Sequence, residues 1–284
     1  MARTLKRGAA DILRPRWYVY AALGAVIIAS LFPFYWSLLI GSGDSTTVRD
    51  PNMSWIPGGN LFDNAQSVIS NPAVNFWKAL GNSIIVSTTV AITTVVLSTL
   101  AGFAFSRLRF KGNSVLYVAV IATMAVPVQL GIVPLYILMA EFGWTGNLGA
   151  VIVPALVSAF GVFWMTQFLQ QSLPYELIEA ARVDGCNMIR TFWHVAVPAA
   201  RPAAAMLFLF TFVASWNNFL WPLIILDQSN PTLPLALSML QANYFVDYSL
   251  VLTGVLLATV PLLMLFVFTG RQLVAGIMQG ALKG

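Results

Sequence analysis

The sequence predicts an all-α membrane protein with six transmembrane helices, and three features support this fold class. Hydrophobic residues make up 58% of the 284 residues and charged residues only 9%, whereas an average soluble domain has about 25% charged residues. The mean hydropathy of the whole chain is +0.80. The charges are confined to short segments, and the charge-free stretches between them are long enough to span a bilayer as helices.

The first predicted span, 17–40, follows a basic segment and contains no charge. Because its apolar stretch is longer than the core of a cleaved signal peptide, we expect it to remain as the first helix. The second span is rich in Val, Ile and Thr, and Pro127 and Pro134 interrupt the third. The six predicted spans are 17–40, 79–106, 114–140, 147–168, 202–226 and 248–270. Polar segments separate them at 41–78, 107–113, 141–146, 169–201 and 227–247.

The distribution of lysine and arginine predicts the orientation of these helices. Of the 15 such residues, only Arg49 and Lys78 lie outside the first, third, fifth and seventh polar segments. Because cytoplasmic loops carry the excess of positive charge, both termini and the loop 169–201 are predicted to be cytoplasmic. The chain then divides into a cytoplasmic N-terminal segment (1–16), a transmembrane domain (17–270) and a cytoplasmic tail (271–284).

The segment 172–202 interrupts the apolar chain with six charged residues and the single histidine, His194. At about 2.5 kcal/mol per charge at mid-bilayer, six charges would cost about 15 kcal/mol, whereas each apolar residue returns only about 0.3 to 0.6 kcal/mol. The segment should therefore stay outside the lipid. Its charged residues are Glu176, Glu179, Arg182, Asp184, Arg190 and Arg201.

Local signals predict two short helices in this segment, joined at Gly185. Ser172 can cap the first helix, and Pro174 suits its first turn. Gly185 ends this helix because glycine adopts positive φ freely. Asn187 can cap the second helix, which is predicted to end before Pro198.

Apolar residues at helical spacing predict one packed face on each of these helices. The predicted faces are Leu177, Ile178 and Ala181 on the first helix and Met188, Phe192 and Val195 on the second. Two interpretations of the segment stay open from the residues alone. It is either an amphipathic loop packed against its own membrane domain or a docking element for a partner.

Several function classes are disfavoured by what the sequence lacks. There is no G-x-x-x-x-G-K-[ST] motif, so the chain cannot hydrolyse ATP through a P-loop. No predicted span contains Asp, Glu, Lys, Arg or His. This argues against a proton-coupled carrier, although a sodium-coupled carrier could use carbonyls and hydroxyls.

The segment 172–202 has three acidic residues and three arginines, so it lacks the basic face that a DNA-binding helix-turn-helix requires. Cys186 and His194 are too few for a metal site.

Polar residues within the predicted spans are candidates for a translocation path. Amides and hydroxyls beside aromatic rings would suit a neutral sugar, and an interior without charge suits a neutral solute better than an ion. The alternative for each residue is an interhelical hydrogen bond, worth about 0.6 kcal/mol on average. The candidates are Asn82, Ser83, Gln129, Ser215, Asn217 and Asn218, with Trp216 and Trp221 beside them.

Three elements of the loop 169–201, which we call the central loop, carry a family resemblance. Glu179-Ala180-Ala181, Asp184-Gly185 and Val197-Pro198 resemble the coupling-loop signature of permease subunits of bacterial binding-protein-dependent ABC importers. Further similarity to the sugar branch of this family lies in Trp55-Ile56-Pro57, Asn82-Ser83, 104–112, 212–223 and 280–284. The pattern is most similar to the second membrane subunit of maltose-type and β-glucoside-type oligosaccharide importers. It departs at Asn218, where aspartate is common, and at Val197, where leucine often precedes the proline.

The resemblance implies an ABC importer type I permease fold in the bacterial cytoplasmic membrane. It also implies three kinds of partner: a homologous second permease subunit, two copies of a cytoplasmic ATPase and an extracytoplasmic sugar-binding protein. ATP and magnesium would be held by the ATPase, and this subunit would be non-catalytic, without a cofactor or metal of its own. ATPase coupling would fall to Glu179, Ala180, Ala181, Asp184 and Gly185, and a second ATPase contact to Gly280, Ala281, Lys283 and Gly284. Contact with the binding protein would fall to Gln241, Asn243 and Tyr244.

The same resemblance implies import of a short oligosaccharide, such as a cello- or malto-oligosaccharide, with glycerol phosphate esters as the second substrate class. Two other functions stay open: an ion-coupled secondary sugar carrier, and a membrane scaffold or sensor that transports nothing.

Overall fold

A computed structural model describes residues 17–49, 54–242 and 245–281, without the side chains of Arg49 and of residues 270–281. Within these ranges the regular structure is helical and contains no β-strand, which confirms the predicted all-α class. The α-helices of the described chain are α1 (Trp17–Gly41), α2 (Leu61–Ser70), α3 (Phe76–Arg107), α4 (Asn113–Thr123), α5 (Ile132–Glu141), α6 (Gly149–Ala155), α7 (Ala159–Ser172), α8 (Tyr175–Val183), α9 (Met188–Thr191), α10 (Val197–Trp216), α11 (Leu220–Ile225), α12 (Leu233–Ser238) and α13 (Tyr248–Ala281). Short 3-10 turns lie at Thr47–Arg49, Val128–Gly131 and Met239–Gln241, and a π-helical turn, Phe192–Ala196, joins α9 to α10.

The described chain divides into two compact units. The first contains α1, the described part of 42–67, and residues 247–256, which include the first nine residues of α13. Side chains of this unit satisfy the C-terminal end of α1, where helix carbonyls lack intrahelical partners. Asn64 Nδ2 donates to the carbonyls of Gly41 and Gly43, each at 2.9 Å. Thr253 Oγ1 also donates to the Gly41 carbonyl, at 2.8 Å.

The second unit is built around α3, which packs closely against α7 and α10. Two glycines allow this approach. A Cβ at Gly102 would lie 2.7 Å from the Met165 Cβ, and a Cβ at Gly161 would lie 2.3 Å from the Ser98 Oγ. Small residues let helix backbones approach in this way in membrane proteins, where close packing replaces the hydrophobic effect between helices.

An apolar cluster joins the C-terminal half of α3 to α7, α8, the π-helical turn and α10. We call it the α3–α7 cluster. Because it includes residues from the central loop, this loop is packed onto its own membrane domain along one side. The buried members are Phe103, Met165, Leu169, Leu173, Ile178, Phe192, Ala196, Ala200, Ala203 and Leu207.

Five helical segments of the described chain are long and apolar enough to cross a membrane, or six if one bent pair counts as a single span. The pair, Asn113–Thr123 with Val128–Glu141, bends by 87°. Pro127 lies at the bend, and proline disfavours helical backbone at the residue before it. The five unbroken candidates are Trp17–Gly41, Phe76–Arg107, Gly149–Ser172, Met188–Trp216 and Tyr248–Thr269. The number of spans therefore stays a prediction.

The helix that was predicted to begin at Pro202 begins at Met188 and runs to Trp216. The prediction that the preceding helix ends before Pro198 is therefore wrong. The π-helical turn explains the difference, because the Val197 amide bonds to the Phe192 carbonyl five residues back. Pro198 then falls in the first turn of α10, where a missing N–H is tolerated.

The segment 226–241, which apart from residue 226 was predicted as polar loop, is buried at most positions from 231 to 240 and includes α12. We call it the 226–241 segment. Its backbone is fixed by two side chains from the first turns of α3. Asn82 Nδ2 donates to the Pro231 carbonyl at 2.9 Å, and the Leu233 amide donates to Ser83 Oγ at 2.7 Å. The apolar residues that this packing buries are Leu226, Leu233, Leu235, Ala236, Leu237 and Leu240.

The turn before α12 is closed by an acidic side chain. The amide and hydroxyl of Ser229 both donate to Asp227 Oδ1, at 2.8 and 2.6 Å. These bonds, the hydroxyl first, hold the pKa of the Asp227 carboxyl below its usual range. Asn230 Nδ2 then donates to the Gly146 carbonyl at 3.1 Å, which ties this turn to the segment between α5 and α6.

Candidate functional site

Helix α8 is the centre of the candidate site and begins at Tyr175, directly after Pro174. Contrary to the prediction, Ser172 does not cap it. Ser172 ends α7 instead, and its hydroxyl donates to the carbonyl four residues earlier at 2.8 Å. The proline separates the two helices because the residue before it avoids helical backbone. Glu176 lies in the first turn of α8 and Arg182 in the last, where the helix dipole favours each charge.

The end of α8 is set by Gly185, whose φ of 80° lies in the left-handed region. The Cys186 amide donates to the Ala181 carbonyl at 2.8 Å, and the Gly185 amide donates to the Arg182 carbonyl at 3.0 Å. This pair of bonds is a Schellman motif, which satisfies the last carbonyls of a helix and favours glycine at the left-handed position. The predicted glycine stop is confirmed.

The next helix begins with the predicted cap. Asn187 Oδ1 accepts a hydrogen bond from the Arg190 amide at 2.8 Å, as expected of an N-cap asparagine. Only Gly185 and Cys186 separate this cap from Asp184, which follows the last residue of α8. Local chemistry therefore fixes both sides of the turn.

The buried face of this loop agrees with the prediction at most positions. Ile178 is 1% exposed, Ala181 and Phe192 are also buried, and Met188 and Val195 pack partly buried against the α3–α7 cluster. The prediction was wrong at Leu177, which is 49% exposed. Successive helical residues point about 100° apart. The buried face of α8 is centred between residues 178 and 181, and Leu177 therefore lies outside it.

The opposite side of the loop presents apolar and charged groups to the surroundings. Val183 is 88% exposed and Ile189 is 71% exposed, and Glu179 and Ala180 are exposed beside them. One face is therefore packed on the chain itself, as the first interpretation requires, and the other is free within the described chain. Docking of a partner on the free face stays a prediction. We call the free side, Leu177, Glu179, Ala180, Val183 and Ile189, the exposed α8 face.

The sequence did not reveal that the basic turn after α3 contacts this loop. Arg107 Nη2 donates to the carbonyls of Leu169 and Gln170, each at 2.7 Å. The Arg109 Cζ lies 5.1 Å from the centroid of the Tyr175 ring. Only the concentration of positive charge at 107–111 was visible in the sequence, and the partners lie more than 60 residues away.

Several residues predicted for a translocation path have structural partners. Asn82 and Ser83 fix the 226–241 segment, and the buried Trp221 indole donates to the Ala150 carbonyl at 2.9 Å. Trp216 is buried and stacks on Phe212. Gln129 and Asn217 are exposed, and Ser215 and Asn218 are half-buried. A translocation role for any of them stays a prediction.

The other predicted contacts lie near the limits of the described chain. Gln241 is exposed, and Gly280 and Ala281 end α13, where side chains are not described. Asn243, Tyr244, Lys283 and Gly284 lie outside the described residues, as does the N-terminal segment 1–16.

The described chain combines apolar helices that are long enough to cross a membrane with a short, glycine-terminated helix that has one exposed face. The fold agrees with a solved structure of a bacterial ABC transporter involved in the import of the acidic polysaccharide alginate. The TM-score is 0.75 at 19% identity, over 91% of this chain and 99% of the other.

Residues 94–275 match the family described as binding-protein-dependent transport system inner membrane component, and the chain belongs to this family. It is 33% identical to the lactose transport system permease protein LacG of Rhizobium radiobacter over the full length of both chains. It is 30% identical to the arabinooligosaccharides transport system permease protein AraQ of Halalkalibacterium halodurans, over 99% of this chain and 100% of the relative. It is also 30% identical to the sn-glycerol-3-phosphate transport system permease protein UgpE of Yersinia enterocolitica, over 75% of this chain and 76% of the relative.

Proposed function

We propose that this chain is the permease subunit of an ATP-driven oligosaccharide importer and forms half of its translocation path. In this proposal it crosses the membrane six times, with both termini and the loop 169–201 in the cytoplasm. Family membership and the asymmetric distribution of lysine and arginine support this orientation. The partners are a homologous permease subunit, two copies of a cytoplasmic ATPase that binds ATP and magnesium, and an extracytoplasmic sugar-binding protein.

The observation that carries the coupling role is the preformed exposed α8 face. A loop transmits force only if its docking surface keeps its shape, and the Schellman motif at Gly185 and the buried Ile178 hold α8 in place. Two adjacent alanines serve opposite sides. Ala181 is buried and lets α8 lie close to the α3–α7 cluster, whereas Ala180 is exposed and leaves room for a partner surface.

Glu179 supplies the charge on this docking surface. It is exposed, and a basic residue in a groove of the ATPase would pair with it. Most of the apolar area on the exposed α8 face comes from Leu177, Val183 and Ile189. An apolar patch with a charged group at its margin is typical of protein interfaces. Movement of the ATPase dimer during its ATP cycle would then displace α8 together with the helices to which it is packed.

The absence of formal charge from the predicted spans supports a neutral substrate. The names of LacG and AraQ support an oligosaccharide, which is the substrate class we propose. UgpE supports glycerol phosphate esters as the second candidate. An anionic ester would need cationic groups along the path, and the predicted spans of this chain contain no lysine or arginine. Calorimetric binding to the cognate solute-binding protein, with cellobiose, maltotriose and glycerol 3-phosphate as probes, separates the two classes.

The test of the coupling role is reversal of the Glu179 charge in the assembled transporter. We expect Glu179→Lys to leave insertion into the membrane unchanged and to abolish ATP-dependent uptake in proteoliposomes, because a cation would face the basic groove. Glu141→Lys is the matched control, since Glu141 is also exposed but lies at the end of α5, outside the central loop. Wild-type uptake by Glu179→Lys would overturn the coupling role. Uptake by this chain alone, without ATP, would instead establish a secondary carrier.

A further inference from the structure

The basic turn that follows α3 holds the junction between α7 and α8 from both sides. Helix α7 ends at Ser172 and α8 begins at Tyr175, so this junction is only two residues long. Arg107 contacts the last turn of α7, and Arg109 contacts the first residue of α8. The chain from Arg107 to Arg109 thus spans the covalent junction that joins α8 to α7.

The Arg107 contact is the stronger of the two. Its Nη2 lies 2.7 Å from the carbonyl oxygens of Leu169 and Gln170, which belong to the last turn of α7. Carbonyls in the last turn of a helix carry the negative end of the helix dipole and have few intrahelical donors. The Leu169 carbonyl also accepts a hydrogen bond from the Leu173 amide, at 3.1 Å. A guanidinium satisfies both requirements, and bonds of this charge-assisted kind are about twice as strong as neutral ones.

The two residues after Arg107 extend the contact across the junction. Leu108 has extended backbone, with φ −95° and ψ 139°, and packs partly buried against the α3–α7 cluster. Arg109 places its guanidinium over the Tyr175 ring at 5.1 Å, within the range of a cation–π interaction. Polar, apolar and aromatic contacts therefore follow one another along three consecutive residues.

We propose that Arg107, Leu108 and Arg109 form a clamp that makes α8 and the end of α3 move as one body. The clamp residues are positioning residues, because they act through the α7–α8 junction and not on the ATPase or the substrate. Without the clamp, α8 can still dock on the ATPase and follow it, but its displacement is absorbed by bending at the two-residue junction. This inference rests on the proposed coupling role of α8.

The test compares sugar transported with ATP hydrolysed by the assembled transporter in proteoliposomes. We expect Arg107→Met to retain ATPase activity while sugar transported per ATP falls about tenfold or more, because both charge-assisted hydrogen bonds to α7 are lost. Arg109→Met should give a smaller fall in the same ratio, and because Arg109 is exposed, this variant tests the clamp even if Arg107→Met fails to assemble. Arg109→Lys keeps a cation over the ring and should restore most of the ratio.

Lys111→Met is the matched control, because Lys111 is an exposed cation of the same turn and makes neither contact. A merely structural role would lower the amount of assembled transporter and leave transport per ATP unchanged. An unchanged ratio in Arg107→Met and Arg109→Met, or an equal fall in Lys111→Met, would overturn the clamp. Failure of the coupling role itself is distinguishable, because Glu179→Lys would then retain wild-type ATP-dependent uptake.

Discussion

The central loop and the 226–241 segment both contain short helices and both contact α3. The 226–241 segment buries most of its aliphatic side chains, whereas the central loop leaves several of them exposed. In the 226–241 segment, Leu233, Leu235 and Leu237 are buried. In the central loop, Val183 and Ile189 are largely exposed although Ile178 beside them is buried. Hydropathy does not separate the two regions, because both contain aliphatic residues at helical spacing.

The difference lies in how α3 holds each region. The 226–241 segment is fixed by its own backbone, since Asn82 and Ser83 bond directly to main-chain groups at 231 and 233. The central loop has polar and cation–π contacts with Arg107 and Arg109 at its beginning. Beyond that it packs on α3 through apolar side chains of the α3–α7 cluster, which leave its other face exposed. The main-chain bonds of the 226–241 segment suit a structural role. The rigid exposed face of the central loop suits transmission of force.

The largest expected effect comes from a change at Gly185 that spoils the shape of the exposed face. Gly185→Val places a β-branched residue at a φ of 80°, which L-residues adopt at a cost of about 1–2 kcal/mol. We expect insertion and expression to persist and ATP-dependent uptake to be abolished, because the chain after α8 leaves in another direction. Gly143→Val is the matched control: Gly143 has a φ of 68° and equally open surroundings, but it lies between α5 and α6. Equal loss of uptake in both variants would show that strain alone is responsible.

A smaller effect is expected from Asn82→Leu, which removes the bond that fixes the 226–241 segment. The Pro231 carbonyl would lose its donor in a buried place, a cost of about 1–3 kcal/mol. We expect a lower thermal unfolding midpoint of the assembled transporter and an unchanged apparent KM for the sugar. Asn217→Leu is the control, since Asn217 is exposed and bonds only within its own helix. A raised KM without loss of stability would instead place Asn82 on the translocation path.

Local signals made much of α8 predictable from sequence. A left-handed glycine, an asparagine cap and charges matched to the helix dipole act within four or five residues of the groups that they satisfy, so Gly185 and Asn187 could be assigned without a structure. Family similarity then supplied the class of protein, because the signature at Glu179 to Gly185 lies on this same short helix.

The contacts that could not be predicted join residues that are far apart in the sequence. Arg107 reaches α7 across more than 60 residues, and Asn82 reaches Pro231 across 149 residues. Nothing in either local sequence specifies those carbonyls. The helix through Pro198 was missed for another reason: a π-helical turn shifts the hydrogen-bond register by one residue, and a rule that ends helices before proline assumes that no such shift occurs.

The smallest expected effect distinguishes the two faces of α8 at adjacent residues. Leu177 is 49% exposed and Ile178 is 1% exposed. We expect Leu177→Ser to change the free energy of unfolding by less than about 0.5 kcal/mol, as for most exposed positions. It should weaken retention of the ATPase about fivefold, because a partner surface would bury the remaining half of the leucine, worth about 1 kcal/mol.

Ile178→Ser is the control and should lower the free energy of unfolding by about 2–5 kcal/mol, as expected for a buried aliphatic residue. Thermal unfolding of the purified transporter and dissociation of the ATPase on dilution measure the two effects. Equal destabilisation by both substitutions would mean that Leu177 belongs to the core and that the exposed α8 face is narrower than described.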